Sequence, residues 1–360
     1  MSGMWGNNLK VAIFGESHGE GVGVTLCGIP AGLVIDEALI KTELLRRAGG
    51  HDKFSTSRLE ADEYKILSGV MDNKATGAPI CIFIPNTNTR SGDYEQTKNF
   101  MRPSHADYTA HIKYEGNNDY RGGGHFSARV TAAFVAAGAI AKMYLKTKGV
   151  KIGSHILSIG DIADEHFGII VNEDILSTLE NKAFAVLNDD IGLKMQETII
   201  NAKGESDSIG GVVETVAIGV PVGIGEPFFD SVESVVSHIL FSIPGVKGVE
   251  FGAGFEISKM RGTTANDIFY TQNGRILTKT NNSGGINGGI SNGMPIIAKI
   301  AFRPTASIGK AQSTVDISTN QNASFIIHGR HDPCIAKRGA IVTESAFAIG
   351  IADLMLQKKG

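Results

Sequence analysis

Arg102-Pro103-Ser104-His105-Ala106-Asp107-Tyr108 and, after a short polar interval, Asp119-Tyr120-Arg121-Gly122-Gly123-Gly124-His125-Phe126-Ser127-Ala128-Arg129 lead into an apolar run, Val130 to Met143. The run reads as a helix, with a glycine-rich loop at its N-terminus. Three consecutive glycines let the backbone bend sharply and approach a ligand with no Cβ in the way. Free N–H groups and the dipole of the following helix then favour an anion. Taken alone, such a triplet is more often turn punctuation before a buried helix. The arginines and histidines on both sides turn the reading toward a site.

Upstream, Lys10–Phe14 and Val22–Leu26 read as strands joined by the polar loop Gly15-Glu16-Ser17-His18-Gly19-Glu20-Gly21. Asp36 to Arg47 has helical periodicity, with Asp36 as N-cap and Arg46 and Arg47 in the last turn, where cations suit the dipole. Strand-like runs follow at Tyr64–Val70 and Ile80–Ile84. Downstream, Val150–Ile159, Gly211–Val222 and Ile296–Phe302 read as strands. Ile175–Val186, Gly192–Asn201, Asp230–Ser242 and Ala340–Leu356 read as helices, and Asn281–Gly293 is a second glycine-dense loop. No linker, repeat or low-complexity segment divides the chain. The mixed order of hairpin-like strand pairs and helices predicts an α+β fold, with residues 1–360 as a single large domain.

A hydrophobic content of 42% and a charged content of 20% describe a globular chain with ample core. Glycine is the outlier, at 45 of 360 residues, about twice the usual share of roughly 7%. The net charge of −3 argues against a general nucleic-acid binder. Three widely spaced cysteines show neither a disulfide framework nor zinc spacing, which points to a reducing, cytoplasmic setting. No signal peptide is legible at the start of the sequence. The longest apolar helix candidate, Val130 to Ile140, is about half of the ~20 residues that a membrane span needs. Arginines concentrate near glycines and histidines, a pattern suited to bidentate recognition of a small, highly anionic ligand.

The loops offer His18, His105, His125, His331, Asp332, Ser17 and Ser127 for chemistry. The order His328-x-x-His331-Asp332 could be read as metal-binding, but Pro333 and the loop setting favour a turn. Ser17 and His18 are adjacent, so their side chains point apart, and no nucleophile elbow is present. A dinucleotide fingerprint and a P-loop are both missing. What remains is a cationic, proton-handling site, with arginines to hold phosphate and carboxylates and histidines to move protons.

Four motifs together make the chain resemble the chorismate synthase family. They are Gly15-Glu16-Ser17-His18-Gly19, Arg102-Pro103-Ser104-His105-Ala106-Asp107-Tyr108, Tyr120-Arg121-Gly122-Gly123-Gly124 with Ser127-Ala128-Arg129, and Gly329-Arg330-His331-Asp332-Pro333-Cys334. The resemblance runs from about residue 7 to 355, in family order and spacing. It implies sandwich-like β-α-β layers with mixed or antiparallel sheets and glycine-rich active-site loops. It also implies conversion of 5-enolpyruvylshikimate 3-phosphate to chorismate by 1,4-elimination of phosphate, requiring reduced FMN with no net redox change.

By the same resemblance, His18 and His105 are the catalytic acids and Asp332 is a proton relay. FMN contacts fall on His125, Phe126, Ser127, Gly288, Arg303, Pro304, Thr305, Ala306, Ser307 and Arg330. Substrate anions fall on Arg47, Lys53, Arg58, Arg121, Arg129 and Arg338. Lys53, Ser104, His125 and Pro244-Gly245 depart from the usual family residues. The chain carries no long insertion of the kind that gives some relatives a flavin reductase, so an external source of reduced FMN is implied, and a homotetramer is the usual assembly. The other reading open at this point is a flavin-dependent oxidoreductase acting on a small phosphorylated carboxylate.

Overall fold

The apolar stretch behind the glycine loop is hydrophobic around its whole circumference, and such a helix belongs inside a protein. A computed structural model of the chain, which describes residues 3–49, 54, 62–87, 98–327 and 331–357, places it there. The helices are α1 (Glu37–Arg47), α2 (Asp107–Lys113), α3 (Thr131–Lys146), α4 (Glu173–Glu180), α5 (Asp189–Gly204), α6 (Val232–Phe241), α7 (Gly262–Ala265) and α8 (Ala336–Met355). Helix α3 packs along α8, and both are almost entirely buried. Small residues let the two approach closely: a Cβ on Gly138 would stand 2.3 Å from Cβ of Ser345. With the turn before it, Ala128–Lys146 forms 19 residues apolar enough to cross a membrane, longer than the sequence reading allowed, yet 83% of its apolar window is buried within the protein.

One five-stranded sheet covers each side of the helix pair. The first runs Met4–Trp5, Lys10–Gly15, Gly21–Cys27, Ile80–Pro85, Lys65–Ser68, and α3 packs on its central strands. The second runs Val246–Phe251, Ile296–Phe302, Gly211–Ile218, Lys151–Ile159, Ile162–Ala163, and α8 packs on Gly211–Ile218 and Lys151–Ile159. Every strand pair among the described residues is antiparallel. The result is the layered β-α-β arrangement of an α+β fold, in its antiparallel form.

Helix α1 is capped as expected, with Asp36 Oδ1 accepting from the N–H groups of Ala38 and Leu39 at 3.0 and 3.2 Å. Arg46 does more than face the helix dipole. It donates to Glu43 at 2.8 Å and through both Nη atoms to Glu344 of α8, while Lys142 of α3 pairs with the same two glutamates. Two cations and two anions therefore lock α1, α3 and α8 together, and the cations hold the Glu344 carboxyl down to about 2 against the upward push of its burial.

Two elements end earlier than periodicity suggests. The expected helix Ile175–Val186 stops at Glu180, because the following segment is captured by the sheet: Ala185 O accepts from Ile156 N at 2.7 Å and Asp164 accepts from Leu187 N at 2.6 Å. The strand starting at Gly211 stops at Ile218, because Gly219 turns at φ 79°, where a Cβ would lie 2.2 Å from Gly149 O.

Candidate active site

The Gly15–Gly21 loop and the Arg121–Phe126 loop close on each other. Ser17 N donates to Gly124 O at 3.1 Å, and His125 Nδ1 lies 2.8 Å from Gly15 O. Gly122, Gly123 and Gly124 have φ values of 61°, 86° and 53°, a left-handed run that only glycine adopts readily. The glycine surface this creates receives both sequence-predicted histidines. A Cβ on Gly122 would stand 2.2 Å from the His18 ring, and one on Gly123 would stand 3.1 Å from Cε1 of His105. His18 and His105, far apart in sequence, thus lie against consecutive residues.

His105 belongs to a compact cluster that precedes α2. Its Nδ1 is 2.6 Å from Asp107 Oδ1 and 3.1 Å from Arg102 Nη2. Arg102 grips Asp107 through Nε and Nη2, each at 2.7 Å, and through its backbone N at 3.1 Å. Ser104 takes φ 59°, a left-handed conformation that glycine adopts more readily. Burial pushes the Asp107 carboxyl up, but Arg102 and His105 overcome this and hold it well below the usual carboxylate range. Burial and the cations Arg102 and Arg303 push His105 below its ordinary value, with Asp107 opposing.

Two further segments complete this sector. Arg303 follows the strand Ile296–Phe302, and its N donates to Gly245 O at 3.0 Å. Its guanidinium makes no hydrogen bond or ion pair among the described residues, and desolvation lowers its pKa. Beyond Pro304, Thr305 Oγ1 donates to Asp332 O at 2.7 Å, Thr305 O accepts from Ser208 Oγ at 2.8 Å, and Ala306 O lies 3.5 Å from Gln312 Nε2. Buried Ser307 lies with its Oγ 3.5 Å from Arg102 Nη1. From the other side comes His331, whose buried Nε2 has no hydrogen-bond partner among the described residues. Burial, then Arg102 and His105, bring His331 down to about 4.

The described substrate arginines predicted from sequence each engage an aspartate. Arg47, fully buried, donates to Asp62 Oδ2 at 2.8 Å and to Thr131 Oγ1 at 3.2 Å. Arg129 pairs with Oδ1 of the same Asp62 and donates to Asn86 Oδ1 at 3.0 Å. Asn86 in turn donates from Nδ2 to the carbonyls of Glu16 and Gly19, each at 2.9 Å, and so ties Arg129 to the loop of His18. Arg121 chelates Asp119 at 2.8 and 2.9 Å, and its side chain is the most exposed of the set at 39%. Arg338 donates to Asp332 Oδ2 at 2.8 Å and to Arg47 O at 3.0 Å.

Not every predicted residue joins this cluster. Gly289 packs on Ser231 at the start of α6, whereas Arg303 bonds to Gly245 beyond the end of that helix. Gly288 and Arg303 therefore adjoin opposite ends of α6, a helix of ten residues that is about 15 Å long. Phe126 is exposed, with its ring 6.3 Å from that of Tyr114, and Ser127 turns inward to accept from Arg129 N at 3.3 Å. Lys53, Arg58 and Arg330 lie outside the described residues. Sequence reasoning did not single out Asp62, Asn86, Arg102 or Asp107 for the site, and it counted His331 among the loop residues available for chemistry without giving it a role. An Arg-x-x-His-x-Asp spacing around a turn was the signal for two of them; Asp62 and Asn86 carry none.

A family model described as chorismate synthase matches residues 9–356. A chorismate synthase of Methanosarcina mazei is 44% identical over 354 residues, covering 98% of this chain and 96% of that protein. One from Dehalococcoides mccartyi is 44% identical over 357 residues, covering 99% and 97%. A solved structure titled "Crystal Structure of Chorismate Synthase" superimposes with a TM-score of 0.78 at 30% identity, covering 99% of this chain and 94% of that one. With the family's histidines gathered on one glycine loop and its relatives matched over nearly their full length, this chain belongs to the chorismate synthase family.

Proposed function

We propose that this chain turns over 5-enolpyruvylshikimate 3-phosphate where His18 and His105 meet the glycine loop, with reduced FMN bound beside them. Family membership makes it a carbon–oxygen lyase acting on a phosphate, the chorismate-forming enzyme of the shikimate pathway. The observation that carries the placement is the contact of Gly122 with His18 and of Gly123 with His105.

The residues present fit an anionic cofactor with hydrogen-bonding edges. Among the described residues, Arg303 is desolvated with no carboxylate beside it, and His331 Nε2 is buried without a hydrogen-bond partner. Gly288 leaves open space where a Cβ would be. Arg303 to Ser307, with His125 and Arg330, are the groups to hold FMN; Gly288, Phe126 and Ser127, assigned to it by resemblance, stand apart from them. When bound, the reduced flavin supplies electron density that eases departure of the allylic phosphate and is regenerated within the cycle.

The protein's own groups supply the rest. His18 and His105 supply the two proton transfers, one to the departing phosphate and the other on the cofactor side. Asp332, held by Arg338, is a carboxylate able to take up and return a proton. Arg47, Arg121, Arg129 and Arg338, with Lys53 and Arg58, are the groups assigned to the phosphate and two carboxylates of the substrate. Because the described arginines among them already hold aspartates, a ligand anion exchanges with a carboxylate rather than with water. This keeps the guanidinium groups oriented before binding.

Reduced FMN comes from an external reductase in this reading, and the enzyme works in the cytoplasm as a homotetramer. Phe228, Phe229 and Phe255, exposed by 86%, 91% and 79%, support burial against other subunits. Anaerobic titration of dithionite-reduced FMN into the protein tests the placement. Saturable binding that tightens with substrate is expected; no binding of reduced FMN with substrate present contradicts it.

A further inference from the structure

His105 Nδ1 faces a carboxylate at 2.6 Å and a guanidinium at 3.1 Å. An ionised carboxylate only accepts and a guanidinium only donates, so the two neighbours make opposite demands on one nitrogen. The shorter contact decides. A lone pair on Nδ1 would repel Asp107 at 2.6 Å, whereas an N–H there makes a short charge-assisted bond. Arg102 needs nothing from the imidazole, since its Nε, Nη2 and backbone N all reach Asp107. Placing the hydrogen on Nδ1 leaves Nε2 as the atom whose protonation can change. Nε2 and Cε1 form the ring edge nearest Gly123, 3.2 and 3.1 Å from where its Cβ would stand.

We propose that Asp107, clamped by Arg102, is a positioning residue that fixes His105 as its Nδ1–H tautomer and presents the Nε2 lone pair along the glycine loop. Resting His105 therefore meets a ligand as a hydrogen-bond and proton acceptor, and it can donate a proton only after taking one up. The charged and titratable groups acting on the ring are Arg102 and Asp107 from its own turn, Arg303 from the strand end and His331 from the segment before α8. Three of these four are cationic or can become so, and together with burial they disfavour a second proton on the ring. The inference rests on the proposed function and deepens it by separating the starting protonation state of His105 from that of an acid.

Long-range ¹H–¹⁵N correlation spectra of the histidine side chains in the intact ligand-free protein at pH 7 test it. The His105 signals are expected to show a protonated Nδ1 and an unprotonated Nε2. A protonated Nε2 in the unaltered protein overturns the proposal without any variant. Asp107→Asn is expected to lose the fixed tautomer and to lower turnover by at least about tenfold, with KM changed less than about threefold, and Asp107→Glu to recover part of the rate. Turnover within about twofold of the unaltered enzyme, or an unchanged Nε2 signal in a folded Asp107→Asn protein, overturns it. If Asp107→Asn does not fold, the unaltered spectrum decides. Failure of the unaltered enzyme to release phosphate would remove the proposed function and leave that spectrum unaffected, so the two failures are distinguishable.

Discussion

His18 and Gly122 are back to back: a Cβ built on Gly122 would lie 2.2 Å from both Cε1 and Nδ1 of the His18 ring. An alanine there must displace the imidazole. Gly122→Ala is expected to cut turnover by roughly 10²-fold, with a backbone cost of about 1–2 kcal/mol from its left-handed φ. Gly149→Ala is the control, since Gly149 has φ 73° with nothing within 4 Å of a Cβ. It should show the stability loss alone in urea unfolding and keep its rate. Equal rates in the two variants would contradict the contact.

Arg303 is desolvated without a described partner, so a bound anion is what it lacks. Arg303→Gln should weaken reduced FMN by about 1.5–3 kcal/mol, the worth of one charge-assisted bond. The anaerobic FMN titration measures this directly. An unchanged dissociation constant would place the cofactor elsewhere.

Asp62 serves two buried guanidinium groups, Arg47 and Arg129. Asp62→Asn leaves both cations without their shared anion, and breaking such a pair costs about 3–5 kcal/mol. Urea unfolding followed by circular dichroism should show a loss of that size. A loss below about 1 kcal/mol would mean that the pair contributes as little as an exposed one.

His155, fully buried, lies 3.0 Å from Glu214 and 3.6 Å from Asp164. The longer contact is an ion pair rather than a hydrogen bond. The same carboxylates hold the segment outside the second sheet, Glu214 accepting from Phe167 N at 2.6 Å and Asp164 from Leu187 N at 2.6 Å. Burial lowers the pKa of His155, but Asp164 and Glu214 outweigh it and raise it overall. Stability from this charge is complete below the ordinary histidine value of about 6.5 and lost as pH rises through the higher folded value. Glu214 is held down to about 2, against burial, by His155, His166 and Phe167 N, so its share is lost only as pH falls toward that value. The contribution of His155 to urea stability should therefore be complete in mild acid and decline above neutrality, and His155→Gln should flatten the alkaline limb. An unchanged limb would remove His155 as its cause.

The sequence made some of this legible for clear reasons. Asp36 caps α1 and the all-apolar run behind the glycine loop is the core helix α3, because both signals are local. The left-handed glycines and the two motif histidines were visible as residues, but their contact was not, since it joins a strand loop to a distant turn. Arg46 illustrates the limit. Its place in a last helical turn was evident, while its partner Glu344 comes from α8 and shares its charge with Lys142 of α3. Asp62 and Asn86 look like ordinary loop residues and acquire meaning only when Arg129 reaches both. The end of α4 at Glu180 was likewise set by the sheet that captures the following residues, not by helix propensity.

The most direct test of the central claim is phosphate release from 5-enolpyruvylshikimate 3-phosphate under strictly anaerobic conditions, with FMN reduced by dithionite, against the same mixture with oxidised FMN. The account predicts many turnovers of phosphate and chorismate per flavin, only with reduced FMN and with no net flavin oxidation. No release with fully reduced flavin, or oxidation of one flavin per phosphate released, would contradict it.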